Sequence, residues 1–347
     1  MAVMSTPKTG TRMTSWDYYV VGKEDWKRYE NILKVESKTP TSIFTDVKGT
    51  KTSDGIYKNG DALQLLDNKS YTINNKVHAR VKIKGTEGYL AINKLSKPPR
   101  NTTEKEDIAL SQLNESVKKR NTGNAGICII IKNGNKVVYT FHDVTSAKTF
   151  SGTPKADFSL NNSSGTPVCF ISHKDAGGAK AYQQYVSLTG RLGGGNQNVN
   201  QHPLVQDFLR RLTIDIDEVT VNKRRPMRVI PFDNSGKQLM NYSIFGNDYG
   251  SKFGKEHCHF IAQGSPTLIE ADPKDKPANC GIAYELKFSE GIEVSGDLSH
   301  FTSGGYEPVI FARYSAARSF YVDGNKFNDA RILIAPKVLV GRSGYEV

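Results

Sequence analysis

The sequence points to an α+β protein in two parts, a small β module followed by a larger mixed α/β domain. Three observations support that reading. Short β-type runs broken by turn residues fill positions 41–97, the consecutive prolines Pro98 and Pro99 interrupt the chain, and beyond them a helix-type stretch is followed by four β-type runs. At 347 residues the chain can hold two or three domains and bury a substantial core.

Taken in order, residues 1–15 are rich in Thr, Ser and Lys and read as a disordered tail. The β module is placed at 16–98. Its first stretch, with Trp16, Tyr19, Val20, Trp26, Tyr29, Ile32 and Leu33, has enough apolar residues for a strand followed by a helix. Short strands then begin at Ser42, Ala62, Ser70, Lys76 and Gly85. The run from Ala79 to Pro98 resembles the last hairpin of an SH3-like barrel of bacterial or viral type. Within it Arg80, Lys82 and Lys84 alternate, so they share one strand face that fits either phosphate tracking or ordinary solvation.

The second domain is placed at 99–347. Thr103 to Glu106 form a capping box that opens a helix running to about Lys119, with Leu110, Leu113 and Val117 on one face. Glu106 falls on that same face. It serves either as an N-terminal cap or as a carboxylate turned toward a site, with Glu115 the next choice. The stretches Gly126–Lys132 and Lys136–Phe141, joined by Asn133-Gly-Asn, read as a hairpin.

A second hairpin carries the candidate chemistry. Asp157 lies near the start of one strand, a polar turn spans Asn161 to Thr166, and the returning strand ends Ser172-His173-Lys174. Glycines at 177 and 178 break that strand, and Ala181 to Leu188 is expected to form a short helix behind it. An insertion around 191–230 follows, with a helix from Pro203 to Leu212. It carries Arg210 and Arg211, and after them Lys223, Arg224 and Arg225, all candidates for holding a nucleic-acid backbone. Residues 229–347 are strand-rich, and there Arg313, Tyr314, Arg318 and Phe320 interleave bases with aromatics as a stacking surface would.

The Asp157…Ser172-x-Lys174 arrangement resembles the PD-(D/E)xK nuclease superfamily of restriction-endonuclease-like fold, over roughly residues 103 to 190. That resemblance implies a mixed sheet core and a metal-dependent endonuclease hydrolysing DNA. It assigns Asp157 and Glu106 to metal, Lys174 to the attacking water or the developing charge, and Gln183, on the element behind the second strand, to nucleic acid. The chain departs from the pattern at Ser172, where the family has a second acid, so a hydroxyl, a carbonyl or water would complete the coordination. The implied cofactor is Mg²⁺ or Mn²⁺, because hard cations prefer oxygen ligands and can polarise a phosphate.

Composition bounds these readings. The net charge of +12 favours a polyanionic partner, and residues 1–100 hold 18 basic against 10 acidic side chains, so most of the excess lies in the first third. Charge alone leaves DNA, RNA and an acidic protein open, and leaves monomer or homodimer open. Four cysteines read as reduced core residues rather than a disulfide framework. His257-Cys258-His259 with Cys280 matches no common zinc spacing and reads as ordinary strand. No signal-peptide core, membrane-length apolar run, P-loop or Gly-x-Ser-x-Gly elbow occurs, and His142-Asp143 beside Ser146 is no triad, so a soluble cytoplasmic or virion-associated protein is expected. Three functions fit: a metal-dependent DNA endonuclease, a non-catalytic nucleic-acid binder with a degenerate core, and a virion-associated structural protein.

Overall fold

The computed structural model describes residues 33–97, 102–123, 125–150, 155–188, 197–250, 253, 257–302 and 304–347. The expected tail at 1–15, the apolar stretch at 16–32, the diproline linker and the Gly193–Gly195 run lie outside these residues. The chain divides into two compact units, Met1–Glu104 and Lys105–Val347.

The first unit is a four-stranded antiparallel sheet of β1 (Leu33–Lys34), β2 (Ala62–Ile73), β3 (Lys76–Ile83) and β4 (Thr86–Ala91), in that order. Where the sequence suggests two strands at Ala62 and Ser70, the structure has one. A shift of register between Leu65 and Ser70 absorbs the polar Asp67-Asn68-Lys69 segment, so the chain stays paired through it. Asn74 and Asn75 both take positive φ, 48° and 59°, the conformation a two-residue hairpin turn needs, and asparagine tolerates it. Alternation then sets the faces. Ala79, Val81 and Ile83 point into the core with Leu63, Leu65 and Leu90, while Arg80 points out.

The second unit takes in α1 (Thr102–Arg120) from Lys105 onward and is a mixed α+β assembly. Four antiparallel strands follow the helix: β5 (Ile127–Asn133), β6 (Lys136–Thr149), β7 (Phe158–Asn162) and β8 (Pro167–Lys174). β9 (Val186–Leu188) comes next, then α2 (Gln197–Asn200), α3 (Pro203–Ile214), α4 (Ile216–Thr220), β10 (Arg225–Val229) and α5 (Asn234–Phe245). The remaining strands are β11 (Phe260–Gln263), β12 (Pro266–Glu270), β13 (Ala283–Phe288), β14 (Gly291–Val294), β15 (Pro308–Val322), β16 (Asn325–Pro336) and β17 (Gly344–Glu346).

Eight strands form one sheet in the order β12-β13-β5-β6-β7-β8-β11-β14, and five form another, β17-β10-β15-β16-β9. Two pairs in the larger sheet, β8–β11 and β13–β5, are parallel. The run of five buried residues opening β5, Ile127 to Ile131, fits a strand covered on both faces. On one of those faces α1 lays Ala109, Leu113 and Val117, spaced four apart, against Ile129, Phe158, Leu160 and Ile171. Leu110, expected on that stripe, is only partly buried and packs at its margin. A second core joins Tyr182, Tyr185, Val186 and Leu188 to α3, α5 and the inner residues of β15 and β16.

That second core explains one departure from expectation. Residues 181–188 are not a helix but a tight 3₁₀ turn at Gly178–Tyr182 followed by β9, which pairs with β16. Extended pairing lets Val186 and Leu188, on one strand face, reach the core together, which a single helical turn would not do. At the start of α5, Asp233 caps Gly236, where any Cβ would meet the Pro231 carbonyl oxygen. The cysteines differ too. Cys128 and Cys280, 152 residues apart, are bonded as a disulfide, while Cys169 and Cys258 are free and buried. Among the described residues no helix is long and apolar enough to cross a membrane.

Candidate functional site

Asp157 and Lys174 meet at one end of the β7–β8 hairpin. The hairpin register pairs Phe158 with Ile171, and the Asp157 N–H donates to the Ile171 carbonyl at 2.8 Å, which places the Asp157 side chain beside the last residues of β8. Ser172 and Lys174, two apart on a strand, share a face. Asp157 Oδ2 accepts from the His173 N–H at 2.6 Å and from Ser172 Oγ at 3.3 Å, and lies 3.8 Å from Lys174 Nζ. All three contacts fall on the one oxygen. Asp157 is 29% exposed and Lys174 22%, whereas Ser172 is buried.

Glu106 approaches this pair from α1. Burial raises its carboxyl above the ordinary carboxylate range, and the Asp157 charge raises it further against a partial offset from Lys174. Its helix is tied to the strand end by an ion pair between Lys105 and Asp175, 2.8 Å apart and both largely enclosed. The structure thus brings together Asp157, Ser172 and Lys174, with Glu106 on α1 near enough for its carboxyl to feel the Asp157 and Lys174 charges. Glu115, lower on the same helix, has no described contact with them.

Several residues that sequence reading missed hold the site in shape. His173 is buried, its ring stacked on Phe158 with centroids 5.0 Å apart and its Nε2 donating to the Gly264 carbonyl at 2.8 Å, so the backbone N–H that serves Asp157 is fixed. Gln263 pairs with Lys174 across the parallel β8–β11 ladder. Its amide donates to the carbonyls of Asp175 and Gly178 and accepts from the Tyr306 hydroxyl. Glu290 accepts from the N–H groups of Gly177 and Gly178 at 2.7 and 3.0 Å, pinning the turn after Lys174.

Lys155, two residues before Asp157, donates its ammonium to the carbonyls of Tyr185 and Ser243. Burial, with the neighbouring Lys174 charge, pulls its pKa down to about 7. The only sequence signal for it was proximity to Asp157.

The predicted nucleic-acid residues fare differently. Arg80 and Lys82 both face Glu87, at 3.2 and 3.7 Å, and Lys84 pairs with Asp61 at 2.8 Å. Arg210 pairs with Asp323, Arg211 with Asp207, and Arg224 with Glu218. Arg225 donates to the Leu339 and Val340 carbonyls, and Lys223 lies over the Tyr314 ring, 3.2 Å from its centroid. Gln183 sits at the end of the 3₁₀ turn with a positive φ of 54°. Six of these bases thus have an acid within 4.0 Å.

Among the described residues, one group of three His, Cys or acidic ligand atoms lies within 4.8 Å, at Cys128, His142 and Cys280. Its two sulfurs are bonded to each other, which removes them as thiolate ligands. His257 and His259, by contrast, are buried amid aromatic rings just before β11, with His259 stacked on Phe253 and its pKa pushed down to about 4 by burial.

A mixed α+β protein with an acid and a lysine on adjacent strand ends is the class that fold and site define. No family model and no solved structure matches the chain. It is 30% identical over 191 residues to the type II restriction enzyme CviJI of Paramecium bursaria Chlorella virus IL3A, a match covering 53% of this chain and 48% of that one. The chain thus spans about half the length of the curated relative it matches.

Proposed function

We propose that the protein is a metal-dependent endonuclease that hydrolyses phosphodiester bonds of DNA, with a restriction-endonuclease-like core built on α1, β5–β8 and β11. The observation that carries this reading is the meeting of Asp157, Lys174 and Ser172 at one strand end, within electrostatic reach of Glu106, in a relative of a viral restriction enzyme.

The residues fit a hard divalent cation. Two carboxylates, one with its pKa raised by burial and then by the charge of the other, lie at a site where only one Asp157 oxygen is engaged by hydrogen bonds. Asp157 and Glu106 would hold Mg²⁺ or Mn²⁺, with Ser172 Oγ or a nearby backbone carbonyl completing the set. When bound, the ion polarises the phosphate and makes water a better nucleophile at neutral pH. The protein's own groups do the rest. His173 N–H orients the Asp157 carboxylate, and Lys174, beside it, would hold the attacking water and offset negative charge growing on phosphorus-bound oxygens. The first unit is proposed to be an SH3-like module.

A second reading rests on Ser172. Its hydroxyl is buried and donates to Asp157 where the endonuclease pattern has an acid, which suits a binding protein whose catalytic core has decayed. Supercoiled plasmid incubated with purified protein and Mg²⁺ or Mn²⁺ separates the two: nicked or linear product, abolished by EDTA, supports the enzyme, while retarded but intact DNA supports the binder.

A further inference from the structure

We propose that Arg313 and Arg331 on the β15–β16 ribbon, together with Gln184 and flanked by Arg318, form a cradle for a backbone phosphate of bound nucleic acid. The proposal rests on the nucleic-acid reading above and adds a site to it.

The ribbon register places Arg313 directly opposite Arg331. Like charges facing each other on antiparallel strands are destabilising, and Arg318 adds a third positive charge after the irregularity between Tyr314 and Ser319. Arg331 bears the cost most directly, since burial and then the charges of Arg313 and Arg318 all work against its ionised form. Four other arginines of this unit, Arg210, Arg211, Arg224 and Arg228, each have a carboxylate partner. Among the described residues no carboxylate lies within 4.0 Å of Arg313, Arg318 or Arg331. A cluster of like charge with no acid of its own is matched by an anion from outside.

The cluster is also built rather than loose. Arg331 Nη2 donates to Gln184 Oε1 at 2.7 Å and its Nε to Ser187 Oγ at 3.3 Å, so neutral partners fix the guanidinium without cancelling its charge. A cavity of about 250 Å³ opens there, walled by Gln183, Gln184, Arg313 and Arg331 over Phe311 and Leu339. Arg225 holds the Leu339 rim through two bonds of 2.9 Å to carbonyls. Guanidinium forks suit phosphate oxygens, which accept paired N–H bonds. The cradle is wired to the catalytic edge through one residue. Tyr185, next to Gln184, donates its N–H to Ile334 on β16 and accepts the Lys155 ammonium, two residues from Asp157.

The test measures binding of a fluorescein-labelled mixed-sequence DNA duplex to the full chain by anisotropy, in EDTA to prevent cleavage, across a KCl series. Arg313→Gln, Arg331→Gln and the exposed Arg318→Gln are compared with wild type. Each glutamine variant is expected to weaken binding about tenfold or more and to reduce the slope of log affinity against log salt by about 0.9 per lost contact. Arg313→Lys should keep the slope while losing part of the affinity. Melting temperatures of the glutamine variants should hold or rise without DNA, because a repulsion is relieved. Wild type that binds DNA beside variants with unchanged affinity and slope would overturn the cradle and leave the nucleic-acid reading standing. Wild type that binds no nucleic acid would overturn both.

Discussion

Replacing Asp157 by Asn separates chemistry from folding, and the structure gives the size of each effect. The side chain keeps one carbonyl oxygen, so the His173 N–H at 2.6 Å retains an acceptor but loses charge assistance, at a cost of about 1 kcal/mol. The ion pair with Lys174 at 3.8 Å would be about 4 kcal/mol at an effective dielectric of 20, but with the partners 29% and 22% exposed screening and side-chain entropy leave about 1 kcal/mol or less. The sum, about 1–2 kcal/mol, lowers the melting temperature of a domain this size by about 2–8 °C. Cleavage, by contrast, should fall about a thousandfold or more, because the charged ligand oxygen is gone. Plasmid nicking rates and thermal melts on the same preparations read both numbers, and DNA affinity in EDTA should stay near wild type. Cleavage by Asp157→Asn within about tenfold of wild type would refute the assignment.

Ser172→Asp restores the endonuclease pattern at a buried position beside Asp157, so it should lower the melting temperature without metal and show a larger Mg²⁺-induced rise than wild type; equal metal responses would remove Ser172 from the ligand set. Glu106 has its pKa raised in the fold, so its protonated form is favoured and its stabilising contribution fades as pH rises through the carboxylate range. Metal binding needs the ionised form, so Mg²⁺ affinity should climb over that same range, and Glu106→Gln should flatten the climb in titration calorimetry. Lys155 has its pKa depressed to about 7, so between that value and the free-lysine range the unfolded chain binds the extra proton and stability rises with pH, by at most about 1.4 kcal/mol per unit. Lys155→Met should lose that rise in denaturant titrations, and an unchanged pH profile would place the ammonium in solvent. Limited proteolysis should cut between 98 and 104 and release the β module intact; resistance there would argue against an independently folded module.

What could be read from the sequence was local. Asp157 and Lys174 are joined by one hairpin, so alternation and a polar turn were enough to bring them together, and the 3.8 Å ion pair follows from that register. Helix α1 announced itself by its apolar spacing, although it begins at Thr102, so Thr103 lies within the helix rather than at its N-cap. The support of the site was not legible, because it is made by contacts across the chain. Lys105 reaches Asp175 over 70 residues, Lys155 reaches Ser243 over 88, and Gln263 joins Lys174 through a parallel ladder. The disulfide spans 152 residues, and no spacing rule singles out Cys128 and Cys280 from Cys169 and Cys258. The acid partners of the basic residues were hidden for the same reason. Arg80, Arg210 and Arg224 stand among bases in sequence, yet each has an acid beside it in space, while the acid-free cluster forms from Arg313 and Arg331 on opposite strands.

Supercoiled plasmid incubated with wild-type protein in Mg²⁺, Mn²⁺ or EDTA tests most directly whether Asp157 and Glu106 hold a metal and, with Lys174, cut DNA. Nicked or linear DNA is expected with either ion and none in EDTA. Intact plasmid under every condition, from protein that still binds it, would contradict that assignment.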